Sequence, residues 1–145
     1  MKVEDNARIR TGDWVLLGED ATRVRYAVFV EEQKVPVDIE LDAFDPQCVH
    51  AVAYAPDGTA VGTGRLLPDA HIGRMAVLRE FRGRGVGSLI LRRLMACARQ
   101  RGDAEVVLSA QTHARAFYAA HGFVPEGDLY LDAGIEHVLM RRRLA

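Results

Sequence analysis

A mixed α/β fold is predicted by three features of the sequence. Short apolar runs with strand character alternate with three segments of helical period. Glycine and proline punctuate them at short intervals. One long amphipathic segment, residues 85–101, stands between two strand-like runs, as a crossover within a partly parallel sheet requires. The element order that results is β-α-β-β-β-α-β-α-β-β, and residues 1–145 read as a single domain with no repeat or linker to divide them.

The elements follow in order. Residues 7–11, with a further run at 14–17, read as an opening strand. Residues 20–32 read as a helix, because Ala21, Val24, Ala27 and Val28 make one apolar face. Residues 33–47 carry two prolines among acidic and amide side chains and read as an irregular loop. Strands at 49–55 and 60–67 flank Pro56-Asp57-Gly58, a hairpin turn signal. After the Pro68-Asp69 turn a strand runs over 72–78. In the long helix Val86, Leu89, Ile90, Leu94, Met95 and Ala98 keep the helical period, and Gly102 suits its C-cap. Residues 105–110 (EVVLSA) have the continuous apolar character of a buried strand. A second helix spans 112–121, closed by Gly122, and strands at 129–132 and 135–141 form a terminal hairpin.

Composition limits the function. Charged residues are 27% and hydrophobic residues 49% of the chain, and the net charge is −1. A bulk electrostatic affinity for nucleic acid or an anionic membrane is not indicated, and no apolar run approaches a membrane span. Of 19 basic residues only Lys2 and Lys34 are lysines. The bias to arginine suits phosphate recognition, and codon composition accounts for it equally well. Cys48 and Cys97 form no CxxC pair and no metal-ligand spacing, so no metal is expected. The polar start has no signal-peptide character, and a reducing cytoplasmic setting follows.

The chemistry concentrates at Arg82-Gly83-Arg84-Gly85-Val86-Gly87-Ser88, between a strand and the long helix. Glycines permit positive φ and close backbone approach. The first turn of a helix leaves N–H groups unpaired, and its dipole favours an anion. Alternate glycines there form a nest of amides for a diphosphate, with charge added by Arg82 and Arg84. The loop is not a Walker loop, since no Lys-Ser/Thr follows, and it lacks the G-x-G-x-x-G spacing of a dinucleotide fold.

The run Met75-Ala76-Val77-Leu78-Arg79-Glu80-Phe81-Arg82-Gly83-Arg84-Gly85-Val86-Gly87 resembles the signature of the GNAT superfamily of N-acetyltransferases, an apolar strand followed by R/Q-x-x-G-x-G/A. Residues 108–123, with Ala114-Arg115-Ala116-Phe117-Tyr118 and then Gly122-Phe123, resemble its second signature. Arg25-Tyr26-Ala27-Val28-Phe29-Val30-Glu31-Glu32-Gln33, Ser109-Ala110-Gln111 and the segment from Asp132 to Met140 are similar to ElaA-like members, with Asp132 where that group usually carries Glu. The resemblance covers roughly residues 20–143. It implies a twisted mixed sheet of six to seven strands flanked by helices, and acetyl-CoA as co-substrate. It further implies that main-chain groups of Met75, Ala76 and Val77 meet the pantetheine arm, and that amides from Gly83 to Ser88, Gly85, Val86 and Gly87 among them, hold the pyrophosphate. One strand amide would stabilise the oxyanion.

The same resemblance places Tyr118 as general acid and Gln111 beside pantetheine. Local physics also allows a core tyrosine and a helix-start amide that caps its own backbone. His71, six residues before Val77 on the same strand face, is the candidate base, and a water-relayed base is the alternative. Glu32, His50 and His137 are candidate substrate contacts, each also compatible with a satisfied polar residue. By the same resemblance Glu40, Asp42 and Asp45 would border the acceptor cleft and favour a small cationic amine, and an ordinary solvated loop is the equal alternative. The expected reaction is acetyl transfer to a primary amine in a ternary complex, by a monomer or a homodimer. A non-catalytic acyl-CoA-binding regulator and a protein-directed acetyltransferase are the alternatives. Acyl-homoserine-lactone synthases have a similar E-x-D-x-F-D run but a larger C-terminal portion than this chain holds.

Overall fold

The computed structural model describes residues 8–37 and 43–144. Strand β1 (Arg8–Gly12) leads directly into helix α1 (Trp14–Arg25). The run 14–17, read above as strand, is the first turn of α1. Asp13 caps it, its carboxylate accepting the Leu16 N–H at 2.9 Å. Leu17, Ala21, Val24 and Val28 then fall on one buried stripe. The helix continues into a π-helical stretch, Tyr26–Glu32, closed by Gln33 N–H to the Val28 carbonyl at 2.9 Å. Such i→i+5 turns are rare and cluster at functional sites. Residues 43–48 hold a single 3₁₀ turn, Asp45–Gln47, in the segment expected to be irregular.

Strands β2 (Val49–Tyr54) and β3 (Ala60–Leu66) pair antiparallel around a turn at Gly58, where φ is 89°. Strand β4 (His71–Val77) runs antiparallel to β3. Helix α2 (Val86–Arg101) crosses over to β5 (Glu105–Gln111), which lies parallel to β4. A 3₁₀ turn (Thr112–Ala114) and helix α3 (Arg115–Ala120) replace the single helix expected over 112–121. Strands β6 (Val124–Asp132) and β7 (Ile135–Arg143) are longer than the predicted hairpin, and β7 inserts between β5 and β6. The seven strands form one sheet in the order β1-β2-β3-β4-β5-β7-β6.

Alternation along β2 sorts the core into two layers. Ala51 and Ala53 pack with Ile90, Leu91 and Leu94 of α2, whereas Val52 and Tyr54 pack with Leu17, Ala21 and Val24 of α1. The two helices therefore cover opposite faces of the sheet. Helix α2 approaches β3 closely because β3 carries Gly62 there: a Cβ at that position would lie 2.7 Å from Ile90 Cδ1.

Two irregularities of β4 shape the site. Its parallel pairing with β5 covers only His71–Val107 and Ile72–Leu108, although β5 stays paired with β7 along its whole length. The register against β3 also slips between Thr63 and Arg65, so that Gly64 faces both Arg74 and Met75. Arg74 takes φ 50° in this bulge. Beyond Ile72 the two parallel strands part.

Candidate active site

A cleft of about 1460 Å3 opens where β4 leaves β5. Its walls include Met75, Ala76 and Val77 on one side and Leu108, Ser109 and Gln111 on the other. The main chain of β4 is polarised across it. Leu78 donates its N–H to Val61 O on β3 at 2.9 Å. Amide direction alternates along a strand, so Val77 turns its N–H and C=O away from β3, toward the gap.

The glycine loop closes one end of the cleft. Gly83 (φ 75°) and Gly85 (φ 89°) are left-handed, and Gly85 is the N-cap of α2 with no side-chain cap. The first-turn N–H groups of a 16-residue helix therefore face the loop without a capping carboxylate. Gly87 packs against α3: a Cβ there would lie 3.3 Å from Phe117 Cζ. Gly83, Gly85, Val86, Gly87 and Ser88 all line the cleft. Arg84 does not; its guanidinium lies over the Phe81 ring, 5.4 Å from the centroid. Arg82 lines the cleft but is engaged by protein groups, donating to both Glu32 oxygens (2.7 and 2.6 Å) and to Val77 O (2.9 Å).

Tyr118 stands on α3, 8% exposed, at the cleft wall. The rings of Phe117 and Phe123 meet it edge-on at 5.0 and 6.0 Å. Burial pushes its phenol up to about 12, so it is a protonated donor at neutral pH. His71 also lines the cleft, with Nδ1 3.1 Å from Asp69 Oδ1. That contact places the ring proton on Nδ1, which donates to the carboxylate, and leaves Nε2 as the acceptor nitrogen in the neutral ring. His137, on β7, lines the cleft too, and its Nδ1 donates to Ile135 O at 2.7 Å. Gln111 lies at the end of β5, its amide donating to Gln33 Oε1 at 2.9 Å.

Other candidates lie elsewhere. His50 does not line the cleft. It is 1% exposed, and its Nε2 donates to Asp45 O at 2.8 Å. Burial pushes its imidazole below the ordinary value. Period-two counting could not reveal this, because the carbonyl comes from the 3₁₀ turn Asp45–Gln47, in a segment read as an irregular loop. Asp45 is likewise no surface anion. It is 2% exposed and bound by Arg25 (2.9 Å) and Arg65 (2.7 Å). The cation-attracting reading of Asp45 is corrected accordingly: two guanidinium groups already neutralise it. Glu40 and Asp42 lie outside the described residues. Sequence reasoning missed the Arg74 bulge, the partner Asp69 and the Gln33–Gln111 pair. Only Asp69, two residues before His71, left a local signal. Among the described residues no three His, Cys, Asp or Glu side chains gather as a metal site, and no helix is long and apolar enough to cross a membrane.

A mixed sheet parted between two parallel strands, with an uncapped helix start at the mouth of the gap, is the architecture of an acyltransferase that takes its acyl group from a CoA thioester. The acetyltransferase (GNAT) domain family matches residues 19–144, and the chain belongs to that family. It is 40% identical over 129 residues to the uncharacterized N-acetyltransferase YjcF of Bacillus subtilis, covering 86% of this chain and 91% of the relative. Among solved structures, an acyl-CoA N-acyltransferase from Pseudomonas aeruginosa superposes with a TM-score of 0.83 at 32% identity, over 94% of this chain and 99% of the other. Escherichia coli ElaA superposes with a TM-score of 0.82 at 29% identity, over 93% and 99%. The protein is an acyltransferase of a family that uses acetyl-CoA or another acyl-CoA.

Proposed function

We propose that the protein transfers an acetyl group from acetyl-CoA to a primary amine of a small molecule, by direct attack in a ternary complex. The observation that carries this reading is the gap itself. Past Ile72 the polar main chain of β4 faces a cleft instead of β5, and the amide-rich start of α2 stands at its mouth. An extended pantetheine arm fits the first feature as an added strand, and a diphosphate fits the second.

In the reaction the amine nitrogen bonds to the thioester carbonyl carbon, and the C–S bond then breaks. A gap-facing N–H of β4 stabilises the oxyanion. The His71 Nε2, oriented by Asp69, accepts the amine proton directly or through water. Tyr118 donates to the departing sulfur; its raised pKa makes it a weaker acid, and the same dry surroundings raise the affinity of the thiolate for a proton. The remaining cleft contacts, Gln111 and His137, border the pantetheine and acceptor sides. Neither Cys48 nor Cys97 lines the cleft, so no acyl-cysteine is invoked.

The test is acetyl-CoA with a panel of amines and peptides, read by free-thiol release, beside calorimetric titration of CoA. Turnover with a small primary amine is the expected result. Gly87→Glu sets a carboxylate beside the diphosphate and pushes on Phe117, and CoA binding should be lost in a variant that still melts cooperatively. CoA affinity unchanged by Gly87→Glu would refute the loop assignment. Turnover confined to peptides would favour a protein-directed enzyme.

A further inference from the structure

The end of the π-helical stretch reaches both parted strands. On the β4 side Glu32 receives two hydrogen bonds from Arg82, at 2.7 and 2.6 Å, and lies 3.5 Å from Arg79. Arg82 in turn donates Nε–H to Val77 O at 2.9 Å, occupying a carbonyl that faces the gap. On the β5 side the next residue, Gln33, exchanges amide hydrogen bonds with Gln111. Glu32, Gln33, Arg82 and Gln111 all line the cleft. Two consecutive residues thus tie the last residue of β5 to the first residue of the glycine loop, across a gap that carries no strand pairing.

The π winding makes this reach possible. An i→i+5 turn carries one more residue than an α turn, which changes the direction of the side chains that follow it. Glu32 ends the stretch and Gln33 closes it, with its N–H on Val28 O. A bidentate carboxylate–guanidinium pair fixes orientation as well as distance.

We propose that Glu32 and Gln33 form a brace across the mouth of the gap, and that Glu32 is a positioning residue that holds Arg82 and the glycine loop in the form that binds CoA. The proposal rests on the acyl-CoA reading above. It assigns Arg82 to the scaffold of the loop and Glu32 to CoA binding, where its charge alone would oppose the ligand. Electrostatics and the brace therefore predict opposite signs. A carboxylate beside a diphosphate repels it, so removing Glu32 should tighten CoA if the residue only contributes charge. If it braces the loop, removing it should weaken CoA.

Calorimetric titration of CoA into wild type, Glu32→Ala, Arg82→Ala and the double variant decides the matter. A wild type that binds no CoA overturns the acyl-CoA reading and the brace together. Given wild-type binding, the brace predicts that each single variant loses about tenfold in affinity, the scale of a hydrogen-bonded charge pair. The double variant should be no weaker than the weaker single, because either change removes the same contact. In steady state Glu32→Ala should raise KM for acetyl-CoA and leave kcat and the KM of the amine near wild type, which a general loss of structure or an acceptor contact would not do. CoA binding as tight as wild type, or tighter, in Glu32→Ala overturns the brace while leaving the acyl-CoA reading intact. If Glu32→Ala fails to fold, Glu32→Gln keeps the shape and one acceptor. Weaker CoA binding is expected there, and unchanged or tighter binding has the same overturning force.

Discussion

Tyr118 is held by packing before it is held by chemistry. Its ring is enclosed by Phe117 and Phe123, and burial alone raises its pKa to about 12. A phenol in that state donates a hydrogen bond at any pH the protein will meet. Its proposed task arises only as the C–S bond breaks, so its loss should fall on the transition state rather than on binding. Tyr118→Phe is expected to lower kcat by about 100-fold or more, the scale of general acid catalysis, and to leave the Kd for CoA within experimental reach of wild type. Wild-type kcat in this variant would reduce the residue to a packing role. The motif position of Tyr118 was readable from the sequence. Its enclosure was not, because the motif does not show that the turn ending α3, closed by Phe123 N–H on Tyr118 O at 3.2 Å, folds the Phe123 ring back against it.

At the scale of elements, the loop after α1 is anchored through a buried charge cluster. Asp45 in the 3₁₀ turn is shared by Arg25 of α1 and Arg65 of β3, with His50 of β2 bonded to its carbonyl. Burial pushes the Asp45 carboxyl up, but the two guanidinium groups outweigh it and hold the group below the ordinary carboxylate range. Burial lowers His50 and likewise His121, where Arg92 and Arg142 add to the effect. In each case the folded pKa lies below the unfolded one, so the unfolded chain takes up more protons and acid destabilises the fold. The melting temperature should begin to fall as pH drops below 6.5 through the histidines, and fall again below 3.8 through Asp45. Asp45→Asn removes the buried carboxylate charge that Arg25 and Arg65 share and should cost about 3–5 kcal/mol at neutral pH, read by urea denaturation. It should also shrink the second acid step, to which the lowered carboxyls of Glu32 and Asp69 contribute as well. A flat melting profile from pH 7 to 3 would contradict the assignment.

For the whole molecule, the two helices lock the sheet from opposite faces while the site lies where the sheet itself is incomplete. Most of the chain supports the opening between β4 and β5, and a ligand that fills it should stabilise the fold. Binding to the native state alone adds about 2.7 kcal/mol at a hundredfold excess over Kd, which for a chain of this length is several degrees in Tm. CoA and acetyl-CoA should therefore raise Tm in a concentration-dependent way, whereas adenosine alone should do so weakly. A Tm indifferent to millimolar CoA would count against the site.

The sequence by itself determined the order of elements and the position of the loop. Periodicity, glycine and proline are local signals, and Gly85 before the apolar stripe of α2 sets a helix start that needs no distant partner. It misjudged the run 14–17, where apolar Trp14-Val15-Leu16-Leu17 imitates a strand and only the cap from Asp13 and the packing against β2 and β3 decide for helix. Tertiary structure alone decided what the charged residues do. Asp45, Arg25 and Arg65 lie far apart in the chain and become a buried cluster only when α1 covers β2 and β3. Glu32 reads as a candidate substrate contact until the π-helical stretch turns it toward Arg82, fifty residues away. The opening between β4 and β5 is of the same kind. Strand propensity is a property of each segment, whereas pairing is a property of two, and the bulge at Arg74 that accompanies their parting is set by contacts with β3 that no single segment encodes.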